Sequence, residues 1–231
     1  MQIHGIQKLT LLDYPGHTAC TVFTGGCNFR CPFCHNASLV LHPAEQPVLP
    51  EEELFAFLRR RVGILDGVCI TGGEPTLCRE LPDFCANVKA LGFALKLDTN
   101  GTNPALLRAL IDGGLIDYAA MDIKSSRERY STVCGIEGFD LAPVEESVRI
   151  LMEGRIPFEF RTTVVRELHR VEDFAAIGAW IEGAPRYFLQ SFRDSGDVLG
   201  AGFSAWDKAT LLQMRAAVLP YVPSAELRGV D

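Results

Sequence analysis

Short apolar runs alternate with amphipathic stretches along most of the chain, and the two periods predict different elements. Runs that are apolar or alternate every second residue fall at residues 19–23, 67–71, 93–98, 118–123, 158–164 and 186–191, and predict six strands. The stretches between them carry apolar residues at helical spacing, with readable ends. Pro50 and the acidic Glu51, Glu52 and Glu53 suit a helix start, while Arg59, Arg60 and Arg61 suit its negative C-terminal end. Leu81, Phe84, Cys85, Val88 and Leu91 share one helical face, with Gly92 as the stop. Asn103 and Pro104 open the next helix as cap and first residue, and Gly113 follows its last apolar positions. Further helices are expected over residues 141–153, 171–182 and 204–218. Strands alternating with helices imply parallel β/α units, and right-handed crossovers curl these into a partial (β/α)6 barrel, an α/β fold. No repeat, low-complexity segment or linker interrupts the pattern, so residues 1–231 are expected to form one domain.

In such sheets ligands bind at the C-terminal ends of the strands. The first strand runs into Thr24-Gly25-Gly26-Cys27 and the second into Thr71-Gly72-Gly73-Glu74-Pro75. The third ends at Asp98-Thr99-Asn100-Gly101, the fourth at Asp122-Ile123-Lys124 and the sixth at Gln190-Ser191. Alternation puts Lys96 with Asp98, Asp122 with Lys124, and Glu159 with Arg161 and Thr163 on shared faces. Charges on the inside of a barrel are costly unless they pair with one another or with a ligand. Gly72 and Gly73 leave room for close approach to the backbone, and Glu74 offers a carboxylate to a cationic group such as an amine. The glycine-rich residues 193–202 are expected to form a mobile loop after the sixth strand.

Cys27, Cys31 and Cys34 lie within eight residues, spaced by three and then two. Three thiolates leave one position of a metal or cluster open. His35 or a distant fourth ligand would make this a zinc site, but the other cysteines, such as Cys69, Cys78, Cys85 and Cys134, stand singly. At 231 residues the chain buries a core without disulfides. No apolar run approaches the roughly 20 residues that span a bilayer, so a soluble, cytoplasmic protein is expected, without a membrane partner. A formal charge of −7 argues against nucleic acid as a partner.

The run from Gly26 to Asn36, together with Gly72-Gly73-Glu74-Pro75 and Asp98-Thr99-Asn100-Gly101, resembles the radical S-adenosylmethionine (radical SAM) superfamily. Leu11-Leu12-Asp13-Tyr14-Pro15-Gly16 and Leu189-Gln190-Ser191-Phe192-Arg193 resemble its glycyl-radical-enzyme activases, in particular those of anaerobic ribonucleoside-triphosphate reductase. The resemblance implies one 4Fe-4S cluster on Cys27, Cys31 and Cys34, with S-adenosylmethionine on the fourth iron. It implies that Phe33 lies against cluster and adenine, and that Gly72, Gly73 and Glu74 receive the methionine amino group. Asp98, Thr99 and Asp122 match ligands of a monovalent cation beside the methionine carboxylate. Lys124 and Arg161 match cofactor contacts, and Gln190 takes the place of a histidine near the adenine and ribose. The implied partners are a glycyl radical enzyme and an electron donor such as flavodoxin or ferredoxin. A radical SAM enzyme acting on a small molecule or peptide, or a non-catalytic iron-sulfur or zinc protein, are the alternatives.

Overall fold

The computed structural model describes residues 1–230. Eight strands form one sheet in chain order: β1 (Ile3–Thr10), β2 (Ala19–Thr24), β3 (Gly67–Gly72), β4 (Ala94–Thr99), β5 (Tyr118–Asp122), β6 (Phe158–Val164), β7 (Tyr187–Ser191) and β8 (Ala225–Arg228). β1 is antiparallel to β2, and every later pair is parallel. The six predicted strands are β2 to β7, with every end within one residue. The two extra strands are the edges. β1 is half exposed and breaks register between Ile3 and Gly5 and again between Gln7 and Thr10, so its apolar residues show no steady alternation. β8 has four residues, too few to show a period.

The helices are α1 (Ala37–Leu41), α2 (Glu51–Arg59), α3 (Leu81–Ala90), α4 (Pro104–Asp112), α5 (Tyr130–Cys134), α6 (Ala142–Met152), α7 (Val171–Trp180) and α8 (Lys208–Val218). α1 and α5 escape the pattern because five residues cover little more than one turn. Asn103 caps α4 as expected, its side chain accepting from the Leu106 N–H at 3.3 Å. α8 begins later than expected: Asp207 caps it by accepting from the Thr210 N–H at 2.9 Å, which leaves Trp206 outside, donating to the His169 carbonyl at 3.1 Å. No helix among the described residues is long and apolar enough to cross a membrane.

Strand alternation sorts side chains between two environments. Leu95 and Leu97 of β4 are fully buried on the outer face, where each contributes about 2 kcal/mol. Lys96 and Asp98 take the inner face. Tyr14, which follows β1, lies 5.8 Å from the ring of Tyr118 on β5, so the sheet curls until distant strands meet. Glu159 of β6 sits in this interior at 1% exposure, accepting from Tyr118 Oη at 2.9 Å and from Arg228 of β8 at 3.0 and 3.2 Å. β1 and β8 do not pair with each other, so the barrel is partial.

Arg228→Ala strands the Glu159 carboxylate without its cation. Arg228 keeps a third of its surface exposed, so the expected loss is about 2 kcal/mol, below that of a fully buried pair, read from urea unfolding.

Candidate active site

The cysteine loop leaves the end of β2 and is fastened by its own aromatic residues. Phe29 is buried edge-on against Tyr130 and Phe139, with ring centres 6.3 and 5.1 Å away, and Phe33 lies edge-on to His169 at 6.3 Å. The backbone is tied down as well: the Arg30 N–H donates to the Cys134 carbonyl at 2.9 Å and the Gly26 N–H to the Leu39 carbonyl at 2.8 Å. Residues 193–202, expected to be mobile, dock on this loop. The Gly200 N–H donates to the Pro32 carbonyl at 2.7 Å, and the Asp197 carboxylate accepts from Ser38 Oγ at 2.7 Å.

Beside it, the end of β3 explains the glycines differently from the expectation. The Gly73 N–H donates to the Thr24 carbonyl at 2.9 Å and the Glu74 N–H to the Gly26 carbonyl at 2.8 Å, which carries strand pairing up into the cysteine loop. A Cβ on Gly73 would lie 1.8 Å from the Gly26 carbonyl oxygen, and Gly72 has φ +114°. Gly73 is required by the cysteine loop crossing it, and Gly72 by its positive φ and by the Thr24 backbone of β2, 2.3 Å from where its Cβ would lie.

Glu74 also differs from expectation. Its carboxylate is 1% exposed and is consumed by the protein. One oxygen accepts from Thr76 N and Oγ at 3.1 and 2.5 Å and from Thr99 Oγ at 2.7 Å; the other accepts from the Asn100 N–H at 2.6 Å. Burial pushes its carboxyl up and these bonds oppose the shift. Glu74 therefore ties β3 to β4. Asn100, which the sequence reading left without a role, bonds to Asn28 Oδ1 at 2.8 Å and lies 3.8 Å from Cys27 Sγ.

The floor is a charge network. Arg161 of β6 donates to Asp98 Oδ2 at 3.0 Å and through Nε to Asp122 Oδ1 at 3.1 Å; Lys124 donates to Asp122 Oδ2 at 2.9 Å. Lys96 contacts the remaining oxygen of Asp98. Burial alone would raise the Asp122 carboxyl, but Lys124 and Arg161 outweigh it and hold the group at about 2. The same balance, with Arg161 and Lys96 against burial, keeps Asp98 below its usual range. Thr99 Oγ donates to Glu74 and accepts from the Gly101 N–H at 3.1 Å. The monovalent cation expected on Asp98, Thr99 and Asp122 therefore does not fit, because each carboxylate oxygen already faces a cation and the hydroxyl is engaged twice. His169 is fully buried. The Val165 N–H donates to its Nδ1 at 3.1 Å, so Nε2 carries the proton and donates to the Lys124 carbonyl at 2.8 Å.

These parts line a cleft of about 160 Å³. Every predicted site residue lines it except Gln190, which faces an adjoining hollow with Leu11, Leu12 and Arg228; Arg161 borders both. No fourth cysteine lines the cleft. Among the described residues no three His, Cys, Asp or Glu side chains converge closely enough for one metal ion. Burial pushes the Cys31 thiol up to about 12, so loading iron on it displaces a proton. On the same wall His35 stacks on Phe192 at 5.2 Å, and its buried Nε2 has no partner. Three soft ligands, an unpartnered polar atom and a cationic floor together fit a cluster carrying a ligand with a carboxylate.

The three thiols stand at the C-terminal rim of a mostly parallel sheet in an α/β protein, and comparison with known proteins specifies the class. The radical SAM superfamily matches over residues 21–177, and the chain belongs to it. Membership implies a 4Fe-4S cluster and S-adenosylmethionine. A Methanocaldococcus jannaschii protein, itself provisionally assigned as a glycyl-radical enzyme activating enzyme, is 32% identical over 82% of this chain and 79% of its own length. A Thermococcus kodakarensis protein provisionally assigned as a GTP 3′,8-cyclase is 31% identical over 63% of this chain; the match spans 47% of that relative. Among solved structures, a domain of pyruvate-formate lyase-activating enzyme from Bacteroides vulgatus aligns with a TM-score of 0.58 at 17% identity, covering 71% of this chain and 99% of that one. Streptococcus suis SuiB bound to its precursor peptide aligns with a TM-score of 0.71 at 14% identity, covering 90% of this chain and 48% of that one.

Gly73→Ala forces the cysteine loop off the end of β3. The expected result is a loss of about 3 kcal/mol in unfolding free energy and reduced iron and sulfide per chain after reconstitution. Stability from the Asp122 pairs is complete above the unfolded carboxyl's value of about 3.9, and it is lost as pH falls through about 2. Asp122→Asn is expected to lower the urea midpoint at neutral pH and flatten its acid decline.

Proposed function

We propose that this protein generates a glycyl radical on a partner protein, acting as a glycyl-radical-enzyme activating enzyme. In the proposed site Cys27, Cys31 and Cys34 would hold a 4Fe-4S cluster, and the cleft beside them would take S-adenosylmethionine. Bound there, cluster and cofactor would supply one-electron reductive chemistry, with the electron coming from an external donor. The outcome would be loss of a hydrogen atom from a glycine of the partner, which would keep the unpaired electron.

The chain's own residues hold and shield. Lys124 and Arg161 present positive charge to the methionine carboxylate, and Asp98 and Asp122 fix those two cations in place. Thr99 positions Glu74, and with Gly72 and Gly73 they keep the cysteine loop at the sheet's edge. Phe33, at 4% exposure, gives the wall an apolar surface that excludes water from the reacting atoms. Gln190 belongs to the adjoining hollow, where exposed Leu11 and Leu12 give an extended peptide a route to the interior that Arg161 shares with the cleft.

The observation that carries this proposal is the cleft lined by three thiols from one loop and no fourth cysteine. The choice of a protein glycine as substrate is supported by the Methanocaldococcus jannaschii relative, which matches over most of both chains. The partner best suited is an anaerobic ribonucleotide reductase, with flavodoxin or ferredoxin as electron donor. The relatives assigned as GTP 3′,8-cyclases favour a second possibility, a small-molecule substrate on the same core.

Anaerobically reconstituted protein with dithionite is expected to release 5′-deoxyadenosine from S-adenosylmethionine, and Cys31→Ser to release none. Equal yields from both proteins overturn the enzyme assignment. With the candidate reductase added, electron paramagnetic resonance is expected to show a glycyl doublet. Cofactor cleavage without a doublet on any glycyl radical enzyme transfers the assignment to a small molecule.

A further inference from the structure

Lys96 is a lysine enclosed in the barrel interior at 1% exposure. Alternation on β4 fixes its side chain on the face that carries Asp98. Its ammonium contacts one oxygen of Asp98, and lies 3.9 Å from Cys69 Sγ and 5.9 Å from the centre of the Tyr118 ring. None of these neighbours reaches the cysteine loop, so Lys96 acts on the cleft only through Asp98.

The oxygen atoms that would hold a sodium or potassium ion are all committed. Asp98 Oδ1 faces Lys96 and Oδ2 faces Arg161; Asp122 Oδ1 faces Arg161 and Oδ2 faces Lys124. Thr99 Oγ spends its proton on Glu74 and accepts from Gly101. Hard cations need oxygen ligands, and here each carboxylate oxygen already has a cationic donor. Three side-chain cations face two carboxylates, a surplus of one positive charge. Glu74, the other carboxylate lining the cleft, is occupied by Thr76, Thr99 and Asn100. A further cation would meet that surplus in a place where solvent screens it poorly.

We propose that Lys96 is a built-in monovalent cation: its ammonium takes the place at Asp98 that a sodium or potassium ion would occupy, so the protein binds S-adenosylmethionine without either. Lys96 is thus a positioning residue. It neutralises Asp98 and thereby frees the charge of Arg161 and Lys124 for the cofactor's carboxylate. The inference rests on superfamily membership and on this network, and it holds whichever substrate the radical attacks.

The test measures S-adenosylmethionine affinity of reconstituted protein by equilibrium dialysis in potassium, sodium and N-methyl-D-glucamine chloride at equal ionic strength. Wild-type affinity is expected to agree within about twofold across the three salts. Lys96→Met is expected to lose at least about tenfold in N-methyl-D-glucamine and to recover in potassium, a rescue that a purely structural role would not give. Lys96→Arg keeps the charge and is expected to stay salt-independent. The melting temperature of the cluster-free proteins reads the same site without cofactor: potassium is expected to raise that of Lys96→Met and leave wild type unchanged. A wild-type affinity that falls tenfold or more when sodium and potassium are withdrawn overturns the proposal. So does a Lys96→Met protein whose affinity and melting temperature are both indifferent to the salt.

Discussion

Two carboxylates pointing into one barrel repel each other unless a cation stands between them, and Arg161 is that cation. Its guanidinium reaches Asp98 of β4 at 3.0 Å and Asp122 of β5 at 3.1 Å from its own place on β6. Three parallel strands are therefore clamped at one level, and the level lies directly beneath the cysteine loop. A guanidinium suits this task because its planar fork serves two acceptors at once, which an ammonium cannot do with fixed geometry. Lys96 and Lys124 then neutralise the outer oxygens. The result is a floor that is rigid, fully paired and still positive, so it attracts an anionic group without having to rearrange.

The rim above that floor is built by a different device. Glu74 accepts four hydrogen bonds from Thr76 after β3 and from Thr99 and Asn100 at the end of β4, and its backbone N–H donates to Gly26 at the root of the cysteine loop. Glycine is obligatory at residue 73 because the Gly26 carbonyl occupies the space a side chain would need. The aromatic residues inside the loop bury themselves in the core, and residues 193–202 lie across it. The three thiols are thus held before any iron arrives. Such preorganisation spares the loop a rearrangement when a cluster binds.

Much of this was legible in the sequence. The six parallel strands were readable because each is a short apolar run followed at once by polar residues, as in Leu95 to Asn100. β1 and β8 were not, since an irregular edge and a four-residue strand carry no period. The site residues were legible as types placed at strand ends, and the cleft gathers all of them but Gln190. What sequence could not show was the direction of individual bonds. Glu74 looked available to a ligand because its four donors come from two separate loops. Lys96 was visible as an inward-facing residue, but its pairing with Asp98 depends on the depth to which the barrel closes around it. The burial of His169 was not readable either, because its partners, Val165 and Lys124, belong to different segments.

The central claim is that the three cysteines and the cationic floor make one pocket, in which a cluster keeps an open iron for S-adenosylmethionine. Electron paramagnetic resonance of the dithionite-reduced, reconstituted protein tests this directly, with and without the cofactor and before any turnover. The account predicts a 4Fe-4S signal whose g-values shift when S-adenosylmethionine is added, and that this shift is lost when Arg161 is replaced by Met in a protein that still carries its cluster. A spectrum of the wild-type protein that is the same with and without the cofactor would contradict it.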